Sequence, residues 1–179
     1  MFVLAEEKNL ILAEAMTIWH MLIYKKLWET VRSGSLGKVQ MITMNFGSFK
    51  EYNMNNRFFN MNLAGGAILD IGVYALSIVR SFMDEKPDEI ISQWKPSPTG
   101  SDEQATILLK NHSGQMATVA LSMHSKQPKR AMISCEKGYI EIMEYSRADK
   151  AVIVDAETGE KTEISCGDTS DALLYEMED

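Results

Sequence analysis

Gln104-Ala105-Thr106-Ile107-Leu108-Leu109-Lys110-Asn111-His112-Ser113-Gly114-Gln115-Met116-Ala117-Thr118-Val119-Ala120-Leu121-Ser122-Met123-His124 holds two β-rich runs separated by a four-residue turn signal. Runs of this length bounded by Asn, Ser and Gly read as neighbouring strands, and so local a turn makes the pair antiparallel. In the second run Ala117, Val119, Leu121 and Met123 alternate with Met116, Thr118, Ala120 and Ser122, so both faces tolerate burial.

Working outward, similar short runs stand at Lys38–Phe46, Glu89–Trp94, Arg130–Cys135, Tyr139–Met143, Ala151–Asp155 and Thr162–Ser165. Turn signals such as Lys95-Pro96-Ser97-Pro98-Thr99-Gly100 and Glu157-Thr158-Gly159-Glu160 separate most of them. A meander is expected, with Gln104–Lys110, Gln115–His124 and Arg130–Cys135 as adjacent antiparallel strands. Two helices are predicted, Met21–Arg32 and about Ala67–Met83, both on one sheet face. The first is stopped by Ser33-Gly34-Ser35-Leu36-Gly37. Between Gly47 and Leu63 runs a polar loop dotted with aromatics, a length that is usually functional. Leu10–Ala15 reads as a short strand of a sheet lying elsewhere. Met1–Asn9 reads as the end of a helix without a cap, and Ala172–Asp179 as the first turns of another. The class is α+β, with ends that look like cuts within elements.

Composition narrows the function classes. Of 179 residues 45% are hydrophobic and 24% charged, as in globular domains rather than disordered chains. Lys and Arg number 18 against 25 Asp and Glu, a net charge of −7. An acidic surface repels phosphate backbones, so no nucleic-acid partner is expected. No membrane contact is expected either, because no apolar run approaches the roughly 18 residues of a span. Cys135 and Cys166 match no zinc spacing and are too few for a disulfide scaffold. A cytoplasmic location and no metal follow as expectations.

The stretch with chemical content is Gly65-Gly66-Ala67-Ile68-Leu69-Asp70-Ile71-Gly72-Val73-Tyr74-Ala75-Leu76-Ser77. On a helix Asp70, Tyr74 and Ser77 share one stripe of an otherwise apolar segment. Two readings stand. A buried carboxylate and phenol need a shared polar partner, and paired glycines let a ligand approach the helix amides. Alternatively, Asp70 answers the helix dipole and Tyr74 is a core aromatic with a satisfied hydroxyl.

This stretch resembles the Gly-Gly…Asp-x-Gly-x-His/Tyr motif of the glucose–fructose oxidoreductase and inositol dehydrogenase (Gfo/Idh/MocA) family. Ala13-Glu14-Ala15-Met16, Gly34-Ser35-Leu36-Gly37-Lys38-Val39, Thr99-Gly100-Ser101-Asp102-Glu103-Gln104-Ala105-Thr106 and Glu136-Lys137-Gly138-Tyr139-Ile140-Glu141-Ile142 are similar to family segments in the same order. Tyr74, where many members have His, is similar to the branch of dimeric dihydrodiol dehydrogenase. The resemblance implies the C-terminal domain of such a protein: a mainly antiparallel sheet with helices on one face, without the N-terminal Rossmann domain. Residues 1–15 would be the end of that domain and 16–179 the substrate-binding and dimerisation domain. Glu85-Lys86-Pro87 spells the family's lysine motif at a surface turn, not at its place upstream.

By the same resemblance the parent is an NAD(P)-dependent oxidoreductase acting on CH–OH groups of sugars, cyclitols or dihydrodiols. Tyr74 would exchange the proton and Asp70 would orient the substrate. Trp19, Thr17 and Arg57 would line the substrate site, and Gly65 and Gly66 would meet the nicotinamide side of the cofactor. An ordinary phenol is only about 0.1% ionised at neutral pH, so a base role needs a neighbouring cation. NAD or NADP would serve the parent and none would bind the fragment, which alone would be inactive. A homodimer through the bare sheet face is implied. The competing reading is a stand-alone binding or assembly module on the same scaffold.

Overall fold

The computed structural model describes residues 1–12 and 14–179. Helix α1 (Phe2–Glu7) and a 3-10 turn (Thr17–Trp19) precede α2 (Leu22–Arg32) and β1 (Val39–Gly47). A 3-10 turn (Met61–Leu63) and a π-helical turn (Ile68–Gly72) then lead into α3 (Val73–Phe82). The remaining strands are β2 (Pro87–Pro96), β3 (Asp102–Asn111), β4 (Met116–Ser122), β5 (Gln127–Cys135), β6 (Gly138–Met143), β7 (Lys150–Asp155) and β8 (Lys161–Ser165). A 3-10 turn (Tyr145–Arg147) sits between β6 and β7, and α4 (Ala172–Glu178) ends the chain. Leu10–Ala15 was expected as a strand; its described residues have no regular structure, and Ala13 lies outside them.

All eight strands form one sheet in the order β2-β3-β4-β1-β5-β6-β7-β8. The protein is thus α+β with a mainly antiparallel sheet, and β1 with β4 is the single parallel pair among the described strands. The two local meanders are as expected, but β4 and β5 are not neighbours. β1 lies between them, parallel to β4 (Met41 opposite Met116) and antiparallel to β5 (Ile42 opposite Ile133). The link from β4 to β5 instead crosses the end of β1. It does so over Gly47, where a Cβ would stand 2.4 Å from the Gln127 nitrogen and 2.6 Å from the Ser125 oxygen. Only a glycine permits that crossing.

Alternation decides the layers. Ala117, Val119 and Leu121 of β4, Ile42 and Met44 of β1, Ala131 and Ile133 of β5, and Ile140 and Ile142 of β6 are all buried on one face. Ala75, Ile78, Val79 and Phe82 of α3 recur at three- and four-residue steps and are buried as well, as are Ile23, Tyr24 and Leu27 of α2. Tyr24 is fully buried and its hydroxyl donates to the Tyr145 carbonyl, which ties α2 to the turn after β6. Burial drives the Tyr24 phenol well above its usual range, with Tyr145 adding to the effect. Contrary to the sequence expectation, Met61–Phe82 has the length and apolar content of a membrane span. Its apolar side chains are explained by the sheet, on which α3 packs.

Candidate functional site

The π-helical turn is where the Gly65–Ser77 stretch departs from the plain helix expected. Such turns widen a helix by pairing residues five apart, and like any helix start they leave the first amides in need of an outside acceptor. Here the support comes from β3. The Ile68 amide donates to Asp102 Oδ2 at 2.6 Å, which places a carboxylate on the positive end of the helix. Gly66 makes that approach possible: its φ is +132°, and a Cβ there would stand 2.0 Å from Asp102 Oδ1. At Gly65 a Cβ would meet the Arg57 oxygen at 2.6 Å and the Asn60 nitrogen at 2.7 Å. Both glycines therefore accommodate the chain itself.

The loop leaving β1 is fixed from several sides. Phe59 is fully buried, and the Thr99 hydroxyl donates to its carbonyl. Gly66 N donates to Phe58 O at 3.0 Å, and Gly65 N to Asn60 O at 2.9 Å. At the other end Lys50 N donates to Met123 O at 2.7 Å. His124 stacks on Phe49 and Tyr52 with centroids 4.9 and 4.3 Å away. It also meets the Lys50 carbonyl through Nδ1 at 3.0 Å.

These elements enclose a cavity of about 310 Å³ that contains Asp70, Tyr74 and Arg57. Arg57 pairs with Asp70 at 2.6 Å, and the Asp70 carboxylate is only 11% exposed. The Tyr74 hydroxyl has no hydrogen-bond partner among the described residues and is not enclosed by protein, so it is open to the cavity. Lys50, Lys129 and Arg147 line the same cavity, in which Asp70 is the single carboxylate. The Phe58 ring carries Lys50 Nζ at 4.4 Å and Arg57 Cζ at 4.7 Å, and Lys129 Nζ lies 5.2 Å from the Phe46 centroid. A polar ligand entering here meets one acceptor carboxylate, one phenol able to give or take a proton, and several donors.

The structure thus brings together Asp70, Tyr74 and Arg57, and separates the other residues singled out from sequence. Trp19 lines a different cavity of about 720 Å³ with Trp28 and Phe82, its ring 6.1 Å from that of Trp28. Thr17 is buried in the turn beneath it. Lys50, Lys129 and Arg147 escaped sequence reading because they come from a loop, β5 and a turn far apart in the chain, and no local pattern marks them. Among the described residues no three His, Cys, Asp or Glu side chains gather as metal ligands. Burial, then Glu136, pushes the Cys135 thiol up to about 11, the environment of an unreactive cysteine.

Residues 24–141 match the profile of the GFO/IDH/MocA C-terminal domain. The chain belongs to this family. Among curated relatives, trans-1,2-dihydrobenzene-1,2-diol dehydrogenase of Xenopus laevis is 27% identical over 172 residues, covering 96% of this chain and 51% of the relative. The enzyme of the same name from Mus musculus is 26% identical over 141 residues, covering 77% and 41%. The chain spans about half the length of the curated relatives it matches. Among solved structures, the 3-ketoreductase KijD10 of Actinomadura kijaniata with NADP and TDP-benzene superposes with a TM-score of 0.85 at 16% identity, covering 99% of this chain and 55% of that one. Aldose-aldose oxidoreductase of Caulobacter crescentus reaches 0.79 at 19% identity, covering 98% and 56%. The relatives named here are dehydrogenases and oxidoreductases, and the KijD10 structures are complexes with NADP.

The residues described do not fit a dinucleotide by themselves. Pyrophosphate needs a glycine-rich turn between a strand and a helix N-terminus. Among the described residues the one glycine pair opening a helix spends its amides on Asn60 O and Phe58 O, and the Ile68 amide that follows already donates to the Asp102 carboxylate.

Proposed function

We propose that residues 16–179 form the substrate-binding and dimerisation domain of an NAD(P)-dependent oxidoreductase that acts on the CH–OH groups of sugars, cyclitols or dihydrodiols. The observation that carries this reading is the unpartnered Tyr74 hydroxyl beside the Asp70–Arg57 pair in one cavity. A substrate hydroxyl seated there hydrogen-bonds to Asp70 and exchanges its proton with the Tyr74 oxygen. Arg57 holds the Asp70 carboxylate in place, and the Phe46 and Phe58 rings position the cations around the substrate. The dinucleotide that exchanges hydride with the substrate carbon is held by residues other than these, so the fragment alone is inactive and binds no NAD or NADP.

Dimerisation in this reading uses the sheet face without helices. Met41, Leu108, Met116 and Met143 stand on it between 38% and 48% exposed, and a sheet with one bare apolar face is covered by a second copy. The test of function is to express residues 1–179 together with any coding sequence in frame upstream. The product is then assayed for NAD(P)-linked oxidation of a panel of diols, cyclitols and aldoses. Turnover of a vicinal diol or sugar supports the oxidoreductase. A clean start at Met1 with no turnover supports the stand-alone binding module.

A further inference from the structure

The sign of the charge in the Asp70–Tyr74 cavity is opposite to that of the chain. The whole molecule carries −7, yet four of its 18 Lys and Arg side chains, Lys50, Arg57, Lys129 and Arg147, line this one cavity. Asp70 is the only carboxylate among the lining residues. Arg57 is paired with it, and Lys129 reaches Glu144 outside the cavity at 3.0 Å, where Glu144 is 67% exposed. Among the described residues Lys50 and Arg147 have no carboxylate within 4.0 Å. Counting Glu144, four positive charges face two negative ones.

Cations gathered without counter-charge repel one another, and more strongly where protein displaces water. The structure holds them together nonetheless: Phe58 takes both Lys50 and Arg57, and Phe46 takes Lys129. Donors fixed in place lose little freedom when a ligand arrives, and opposed charge steers that ligand in. Ser48 and Ser146 line the same walls and offer hydroxyls to a polyol. A neutral diol, the substrate in the relatives' name, would leave two cations uncompensated. An oxyanion on the ligand compensates them.

We infer that this cavity takes a polyhydroxy compound bearing an oxyanion, of the sugar-acid type, with Asp70 and Tyr74 at its hydroxyls and Lys50 and Arg147 at its anionic end. The inference rests on the reading of this cavity as the substrate cleft, and the two separate in one experiment. The ¹⁵N-labelled chain is titrated at low salt with D-glucuronate, D-glucose and NADP⁺, following the amides of Asp70, Ile71, Tyr74 and Lys129. Glucuronate is expected to saturate these shifts at concentrations at least about ten-fold below glucose, as a charge-assisted hydrogen bond to a cation provides. Lys50→Gln and Arg147→Gln should each weaken glucuronate on the order of ten-fold and narrow its lead over glucose. Equal midpoints for the two sugars would overturn the anionic class and leave the substrate cleft standing. If neither sugar moves these amides, the cleft and the inference fall together. If NADP⁺ saturates the same amides and displaces glucuronate, the cations belong to the phosphates of the dinucleotide and the inference is overturned.

Discussion

Asp102→Ala removes the carboxylate that accepts from the Ile68 amide at 2.6 Å and so supports the turn carrying Asp70. Ile68 is half-buried, so its freed N–H is poorly served by water. Loss of a charged hydrogen bond costs about 1.5–3 kcal/mol, the upper part applying when the stranded donor stays dry. For a domain of this size each kcal/mol lowers Tm by about 2–4 °C, which gives a drop of about 3–12 °C. Asp102→Asn keeps an acceptor oxygen and loses only the charge on the helix end, so its cost should be smaller, about 0.3–1 kcal/mol. Gly66→Ala sharpens the test, because its Cβ would stand 2.0 Å from Asp102 Oδ1 at a φ of +132°. That variant alone should lose at least about 1–3 kcal/mol through backbone strain, with the clash added to it. In the double variant the clash is gone while the strain remains, so the two losses should fall short of additivity by about 0.5–3 kcal/mol. Urea unfolding followed by circular dichroism and tryptophan fluorescence measures all four chains. An Asp102→Ala chain within about 0.5 kcal/mol of wild type, with the pair strictly additive, would refute the assignment of Asp102 as the support of this turn.

Tyr24→Phe deletes the buried hydroxyl that donates to the Tyr145 carbonyl and leaves that carbonyl without its donor, so urea unfolding should show a loss of about 1–3 kcal/mol. Asp155 accepts from Thr158 N, the Thr158 hydroxyl and Glu157 N, with Thr158 the main cause of a carboxyl pKa below the ordinary 3.8. Its folded pKa lies under its unfolded one, so its contribution is complete above the unfolded value and is lost as pH falls through the folded value. Thermal melts from about pH 6 downward should therefore show a shallower acid limb in Asp155→Asn. Light scattering of the chain is expected to report a dimer, and Met41→Lys with Met116→Lys on the bare face should return it to monomer with its circular dichroism unchanged.

The strands and helices were legible because each follows a local rule. Alternation marked β1 to β8 to within a few residues, and apolar stretches closed by turn signals marked α2 and α3. Strand order was not local. That β1 separates β4 from β5 depends on the link over Gly47, whose neighbours Ser125 and Gln127 lie almost eighty residues away. The π-helical turn was hidden as well, because Ile68–Gly72 has the composition of an α-helix and is held by Asp102 from another strand. At the site, the spacing of Asp70 and Tyr74 together with the family resemblance pointed to one stripe, and both line one cavity. Trp19 was singled out by the family resemblance, and the packing of its turn on Trp28 carries its ring elsewhere. Lys50, Lys129 and Arg147 become neighbours only when the sheet is assembled, so the charge of the cavity is a property of the fold.

The most direct measurement of the central claim compares Tyr74→Phe with wild type in the upstream-extended protein, for both turnover and stability. The ring and its packing are kept while the transferable proton is removed. Turnover should fall by roughly 10²–10⁴, the range of general acid–base catalysis. Stability should stay within about 1 kcal/mol, because the hydroxyl has no partner to strand. Unchanged turnover with a large loss of stability would contradict the account and make Tyr74 a core residue.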